Sequence, residues 1–207
     1  MLMLRGSELL HGVAERIILG YLHGKGFLDA TLAGDILDEA EGIDLTYTSG
    51  GRRTGVKIKA DSYFGVDQAK IADRDLVFYR PETSSYGFEA IANAATRQPG
   101  WLQRSSADEL FYYRLVLAQT EDEVAALMEE PDEVFFAELK VERDSLKVLP
   151  MRALQSWFEA TGDRYMSRPV VTEGRAAWYR IVPQSDVESA VAGVRDMGRL
   201  FPALARG

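Results

Sequence analysis

From Ser7 to about His23 the apolar residues Leu9, Leu10, Val13, Ile17, Ile18, Tyr21 and Leu22 recur at helical spacing, which predicts an amphipathic helix. Ser7 and Glu8 suit its start and Gly24-Lys25-Gly26 its end. A second, shorter helix is predicted over Asp29 to Glu39. The period then changes. Ile43–Thr48 and Gly55–Ala60 read as paired strands, joined at Ser49-Gly50-Gly51, whose glycines tolerate positive φ. Leu76-Val77-Phe78-Tyr79 reads as a short strand that Pro81 stops. Tyr86 to Ala94 fits a strand or a short helix, Pro99-Gly100 marks a turn, and Leu110 to Leu117 is an apolar, aromatic run of strand length. Two further strand-like runs, Val134–Val141 and Leu146–Leu149, meet at Arg143-Asp144-Ser145. Met151 to Ala160 is predicted as a helix with Leu154, Trp157 and Phe158 inward, Ala176 to Val182 as a final strand closed by Pro183, and Asp186 to Leu200 as a terminal amphipathic helix capped by Ser185 and Asp186.

This order of elements predicts an α/β (α+β) fold, a central mixed sheet of about five strands flanked by helices. A chain of 207 residues, 46% hydrophobic and 27% charged, holds enough material for one substantial core, so residues 1–207 read as a single domain. No run approaches the roughly 18 apolar residues of a membrane span, and Met1-Leu2-Met3-Leu4-Arg5 lacks the apolar stretch of a secretory signal. The absence of cysteine removes disulfides and thiolate metal sites and fits a cytoplasmic protein. With only His11 and His23, which read as helix-surface residues, a zinc enzyme or a serine–histidine relay is disfavoured. A net charge of -8 argues against nonspecific coating of nucleic acid, yet Arg52, Arg53, Lys57 and Lys59 form a local basic concentration on an acidic body.

The chemistry concentrates in Gly42 to Asp61. Side chains alternate along a strand, so Lys57 and Lys59 project together while Val56 and Ile58 turn the other way, and Asp44 lies on the neighbouring predicted strand, Ile43–Thr48. This arrangement resembles the active-site hairpin of the PD-(D/E)xK nuclease superfamily. There, an Asp on one strand and an acidic or amide residue two before a Lys on the next hold a divalent metal. Asp44 matches the Asp and Lys59 the Lys, while Lys57 stands where the second ligand belongs. Further short motifs extend the resemblance over roughly Glu15 to Val182: Phe88-Glu89, Pro99-Gly100-Trp101, and Ser106-Ala107-Asp108 leading into Phe111-Tyr112-Tyr113.

The resemblance implies a restriction-endonuclease-like fold and a metal-dependent nuclease acting on DNA more than RNA. Asp44 would bind Mg2+ or Mn2+, Lys59 would orient the attacking water, and Glu15 would assist through water from the first helix. Lys57 opposes this scheme, since two unit positive charges about 4 Å apart repel by roughly 4 kcal/mol at an effective dielectric near 20. Glu89 is the first substitute metal ligand and Asp61 the second; a third reading keeps the fold without the metal. In the role of phosphate binding, Lys57, Arg52 and Arg53 are the candidates. The alternative function is therefore a catalytically inactive nuclease-like domain that binds nucleic acid or a protein partner, with an acidic α+β interaction protein as a third reading. Relatives often work as homodimers, and the aromatic run at Phe111–Tyr113 is the expected pairing edge.

Overall fold

The computed structural model describes residues 2–34, 42–61, 85–172 and 175–201. Helix α1 (Leu2–Gly24) is followed by β1 (Thr31–Leu32), β2 (Leu45–Ser49), β3 (Arg52–Asp61), β4 (Ser85–Asn93), β5 (Gln98–Pro99) and the single turn α2 (Trp101–Arg104). Next come β6 (Glu109–Leu117), α3 (Glu121–Met128), α4 (Asp132–Glu138), β7 (Val141–Pro150) and α5 (Met151–Thr161). The chain continues with β8 (Met166–Thr172), β9 (Arg175–Pro183), α6 (Gln184–Ala190) and β10 (Arg195–Gly198). The strands form a mixed six-stranded sheet ordered β1-β2-β3-β6-β7-β10 and a second, four-stranded sheet ordered β5-β4-β9-β8. The expected α+β fold with a mixed sheet flanked by helices is present, but that sheet has six strands in place of about five and a second, four-stranded sheet accompanies it. The predicted strand at Leu76–Tyr79 and residues 35–39 of the predicted helix at Asp29–Glu39 lie outside the described residues; the helix's described part, residues 29–34, is not helical, and Thr31 and Leu32 pair instead as a strand edge on Thr46 and Leu45.

Two cores share the six-stranded sheet. On one face α1 buries Val13, Ile17, Ile18 and Leu22 against Val56, Ile58, Phe111, Tyr113, Leu146 and Val148. Each of these large aliphatic side chains contributes roughly 1.5–3 kcal/mol on burial, enough to fix the helix on the sheet. On the other face Leu110, Tyr112 and Leu149 meet Tyr86, Phe88 and Val182 of the second sheet, together with Met151, Leu154 and Phe158 from α5. Strand β6 is covered on both sides, which explains its apolar run, interrupted only by the buried Arg114; alternation appears only where one face meets water.

Strands β2 and β3 form a hairpin in which Leu45 opposes Val56 and Ser49 opposes Arg52. Gly50 and Gly51 have φ of 59° and 77°, the left-handed pair that a two-residue hairpin turn requires. Strand β3 then runs parallel to β6, with Lys57 beside Leu110 and Lys59 beside Tyr112. The Phe111–Tyr113 run is thus an interior strand, hydrogen-bonded to β3 and β7 and buried, so it offers no edge for pairing two copies.

Three predicted elements change character. Val134–Val141 is not a strand: Pro131 starts α4, Asp132 and Glu133 occupy the first turn where the helix dipole favours acids, and Phe135 and Leu139 point inward at a spacing of four. The guanidinium of Arg16 lies 4.1 Å from the Phe135 ring centroid and donates to the carbonyls of Leu127, Met128 and Glu130, tying α1 to both acidic helices. The Arg143–Ser145 join is instead the middle of β7, because Asp144 points into the protein and finds its partners there. The terminal helix ends at Ala190; Gly193 takes φ of 87° and Arg195–Gly198 pairs with β7, so β9 is not the final strand. Ser185 and Asp186 do not cap α6, whose N-cap is Pro183.

Asp144 carries that C-terminal pairing. It is 2% exposed, and Oδ2 accepts from the Tyr113 hydroxyl at 2.9 Å and the Leu200 and Phe201 amides at 2.6 and 2.9 Å. Arg199 Nε donates to Oδ1 at 3.0 Å. Asp144→Ala leaves three buried donors without an acceptor, and a loss of roughly 3–5 kcal/mol is expected in denaturant unfolding. Arg199→Ala removes a half-exposed arm, and its expected cost in the same measurement is under about 1 kcal/mol.

Candidate functional site

The site forms where α1 passes the open end of the β2–β3 hairpin. His11 and Glu15 are one helical turn apart on α1, and the same stripe continues as the buried Ile18 and Leu22. Packing of the apolar half of this stripe sets the rotation of the helix and so brings its polar half to the sheet. His11 Nε2 lies 3.2 Å from Glu15 Oε1.

Asp44 immediately precedes β2, at the point where the chain leaves the hairpin ladder. Its amide donates to the Val56 carbonyl at 2.8 Å, and its carbonyl accepts from Ala33 at 2.8 Å. Beyond Val56, strand β3 no longer has β2 as a partner, and Asp44 Oδ2 accepts the Ile58 amide instead. The other oxygen, Oδ1, is 2.6 Å from Lys57 Nζ. Asp44 is 3% exposed, so its charge is held inside the fold by a backbone donor and an ammonium. One ligand atom from each of His11, Glu15 and Asp44 lies within 4.8 Å of the others, the spacing at which one cation can meet all three.

The electrostatics of His11 reflect these neighbours. Burial alone disfavours its imidazolium, and Lys57 acts in the same direction. The hydrogen bond to Glu15, with the charges of Glu15 and Asp44, outweighs both and raises its pKa above the ordinary 6.5.

Other residues singled out in the sequence lie elsewhere or have other partners. Lys59 shares a strand face with Lys57, but its ammonium donates to the Ala60 carbonyl at 3.0 Å; the lysine in contact with Asp44 is Lys57. Glu89 is in the four-stranded sheet, where Oε1 accepts the Trp101 amide at 3.0 Å and Oε2 the Tyr179 hydroxyl at 3.1 Å. It holds the turn into α2 and is not a member of the His11–Glu15–Asp44 group. Glycine at position 100 has a steric reason: a Cβ there would meet the Glu89 carbonyl oxygen at 1.9 Å. Asp61 accepts from the buried Tyr112 hydroxyl. Arg52 pairs with Asp108, and Arg53 Nη2 donates to Thr46 Oγ1 at 3.0 Å. Both arginines flank the hairpin turn; at about 3.3 Å per residue, Arg52 is roughly 16 Å along the strand from Lys57. The basic concentration seen in the sequence is therefore divided between two ends of one hairpin.

The residue that sequence reading passed over is His11. Its signal was present: His11 and Glu15 extend the Ile18–Leu22 stripe by helical steps, so an ionisable pair sits on the inward side of a core helix. Among the described residues no helix is long and apolar enough to cross a membrane.

Comparison with protein-family models, curated proteins and solved structures finds no match to this chain. The reading of the site therefore rests on its own geometry.

A pH prediction follows from His11 in the metal-free protein. Because its folded-state pKa is raised, its contribution to stability is complete below about 6.5 and is lost as pH rises through the folded value. Glu15→Gln removes the carboxylate that holds the proton, and an NMR titration of the His11 ring is expected to show a lowered midpoint. An unchanged midpoint would assign the shift to another group.

Proposed function

We propose that the chain is a metal-dependent phosphodiesterase of the PD-(D/E)xK type, acting on nucleic acid with Mn2+ or Mg2+ at His11, Glu15 and Asp44. What carries this reading is the convergence of a helix acid, a hairpin acid and an imidazole within 4.8 Å, with a lysine ammonium 2.6 Å from the acid. Two carboxylates suit Mg2+ and Mn2+ equally, and the imidazole moves the preference toward Mn2+, which accepts nitrogen more readily. Glu15 and His11 take over the position for which Glu89 was the expected substitute. A bound cation would lower the pKa of a water and stabilise charge developing on a phosphate. Within the chain, Asp44 anchors the cation beside β3, and Lys57 supplies positive potential next to it. Lys59, two residues further on the same face, is placed to contact a phosphate oxygen. DNA is the expected substrate class, and the restriction-endonuclease-like assignment of the hairpin and its flanking helix belongs to this same proposal, as does a cytoplasmic location.

One observation favours a second reading, a catalytically silent domain that holds phosphate without metal. Lys57 already neutralises Asp44, so a cation must first displace an ammonium at hydrogen-bond distance. The two readings separate in calorimetry with Mn2+. For the enzyme, Lys57→Gln should tighten Mn2+ binding by at least about tenfold, equivalent to about 1.4 kcal/mol. No Mn2+ binding in either the parent or Lys57→Gln would leave the silent reading in place.

The direct test is cleavage of single- and double-stranded DNA and RNA with Mg2+ or Mn2+, comparing the parent with Asp44→Ala and Lys59→Ala. The expected result is cleavage by the parent, loss of at least about a hundredfold for Asp44→Ala through loss of metal chemistry, and a smaller loss for Lys59→Ala. Circular dichroism of each variant must match the parent, because Asp44 also completes the β3 edge. Equal cleavage by all three proteins would assign the activity elsewhere.

A further inference from the structure

A cleft of about 880 Å³ opens beside the C-terminal end of α1, at the margin of the core that the helix makes with the six-stranded sheet. Its apolar side is the half-buried Phe27, set edge-on to Tyr47 at 5.1 Å between ring centroids, with Tyr47, Phe111, Leu146 and Val148 buried beneath it. Three exposed cations line it, Lys25 from the end of α1, Arg52 from the hairpin turn and Arg195 from β10. The volume falls in the range of small-molecule sites, about 300–1,000 Å³.

The acids in the cleft do not cancel this arrangement; they orient it. Asp108 pairs with Arg52 through Oδ1 and accepts the Gly55 amide through Oδ2 at 2.9 Å. Glu109 accepts the Tyr47 hydroxyl at 2.9 Å through Oε2 and pairs with Arg195 at 2.7 Å through Oε1. Each carboxylate therefore has a protein donor on both oxygens, and each guanidinium keeps further N–H groups for a ligand. Lys25 forms no ion pair with an acid among the described residues; its ammonium lies 5.4 Å from the Tyr21 ring centroid. The balance at the cleft is three cations to two acids on a chain of net charge -8. Burial and the Glu109 hydrogen bond push the Tyr47 hydroxyl far above its usual range, so Tyr47 stays a neutral donor to Glu109.

We propose that this cleft binds a nucleoside phosphate, its planar ring against the half-buried Phe27 and its phosphate between Lys25, Arg52 and Arg195. A ring with a charged group needs an aromatic wall beside forked donors, and the cleft provides both. A simple anion would not use the floor, and a neutral apolar ligand would not use the cations. The site is separate from the proposed metal position, since none of its lining residues belongs to the His11, Glu15 and Asp44 group.

The test is two-dimensional amide NMR of the full chain in EDTA, titrated with adenosine monophosphate, adenosine, inorganic phosphate and a short oligothymidylate. Saturable shifts at Gly193 and Gly55 are expected with the nucleotide, with adenosine and phosphate each at least about tenfold weaker. Arg195→Ala and Lys25→Ala, both exposed positions, should each weaken the nucleotide severalfold, and Arg195→Lys should recover part of the loss. A tighter complex with the oligothymidylate at the same amides assigns the ligand to a nucleic-acid strand; tighter binding of the monophosphate assigns it to a free nucleotide. Absence of saturable shifts at millimolar nucleotide, equal affinity in the alanine variants, or binding that appears only when Mn2+ replaces EDTA would overturn the proposal. The last outcome would transfer the nucleotide to the metal cluster, leaving the phosphodiesterase reading intact.

Discussion

Asp44 is a carboxylate that folding removes from water, and the surrounding architecture supplies what its charge needs. A buried charge without partners costs far more than the few kcal/mol by which a domain is stable. Here the Ile58 amide and the Lys57 ammonium meet it, and Lys57 is also within reach because β3 continues past the end of β2. The same geometry explains why His11 and Glu15 can approach. The open side of the hairpin is where α1 crosses, and the apolar stripe of that helix determines which polar residues face the gap.

The two sheets give this arrangement rigidity. Strand β6 is parallel to β3 and antiparallel to β7, and both of its faces are buried, so β3 cannot shift without disturbing both cores. Asp108 reinforces the start of that parallel pairing by accepting from the Gly55 amide while its own amide donates to the Gly55 carbonyl. Its pairing with Arg52 then links β6 to the hairpin turn, so the hairpin is held at both ends by acids, Asp44 at one and Asp108 at the other. This separation divides the basic residues of the hairpin into two locations with distinct chemistry. Lys57 and Lys59 lie toward the His11–Glu15–Asp44 cluster, and Arg52 lies at the cleft.

Much of the candidate site was legible in the chain. Asp44 and the two lysines follow from a hairpin with Gly50-Gly51 at its turn, whereas Glu15 was an expectation of the family resemblance alone. His11 was not selected because a histidine among alternating polar and apolar positions looks like a surface residue. Its importance depends on which way the helix is rotated, and only packing against Val56 and Ile58 settles that. Glu89 was selected for its strand and its acidity, yet its carboxylate completes a turn in the other sheet. No local pattern distinguishes a strand of one sheet from a strand of another.

By itself the sequence determined α1, the β2–β3 hairpin, the β6 run and α5, because each has a strong period or a turn residue with its own steric requirement. The tertiary structure decided the remainder. Asp144 looks like a turn residue until Tyr113, Leu200 and Phe201 supply donors that let it sit inside a continuous strand. Arg195–Gly198 looks helical until the free edge of β7 offers a ladder. In both segments the local preference is weak, on the order of a kcal/mol, and partners distant in sequence contribute more. The same reason separates the site's chemistry from its geometry: residue types and spacing are local, whereas the meeting of His11, Glu15, Asp44 and Lys57 requires a helix and a hairpin to be packed together.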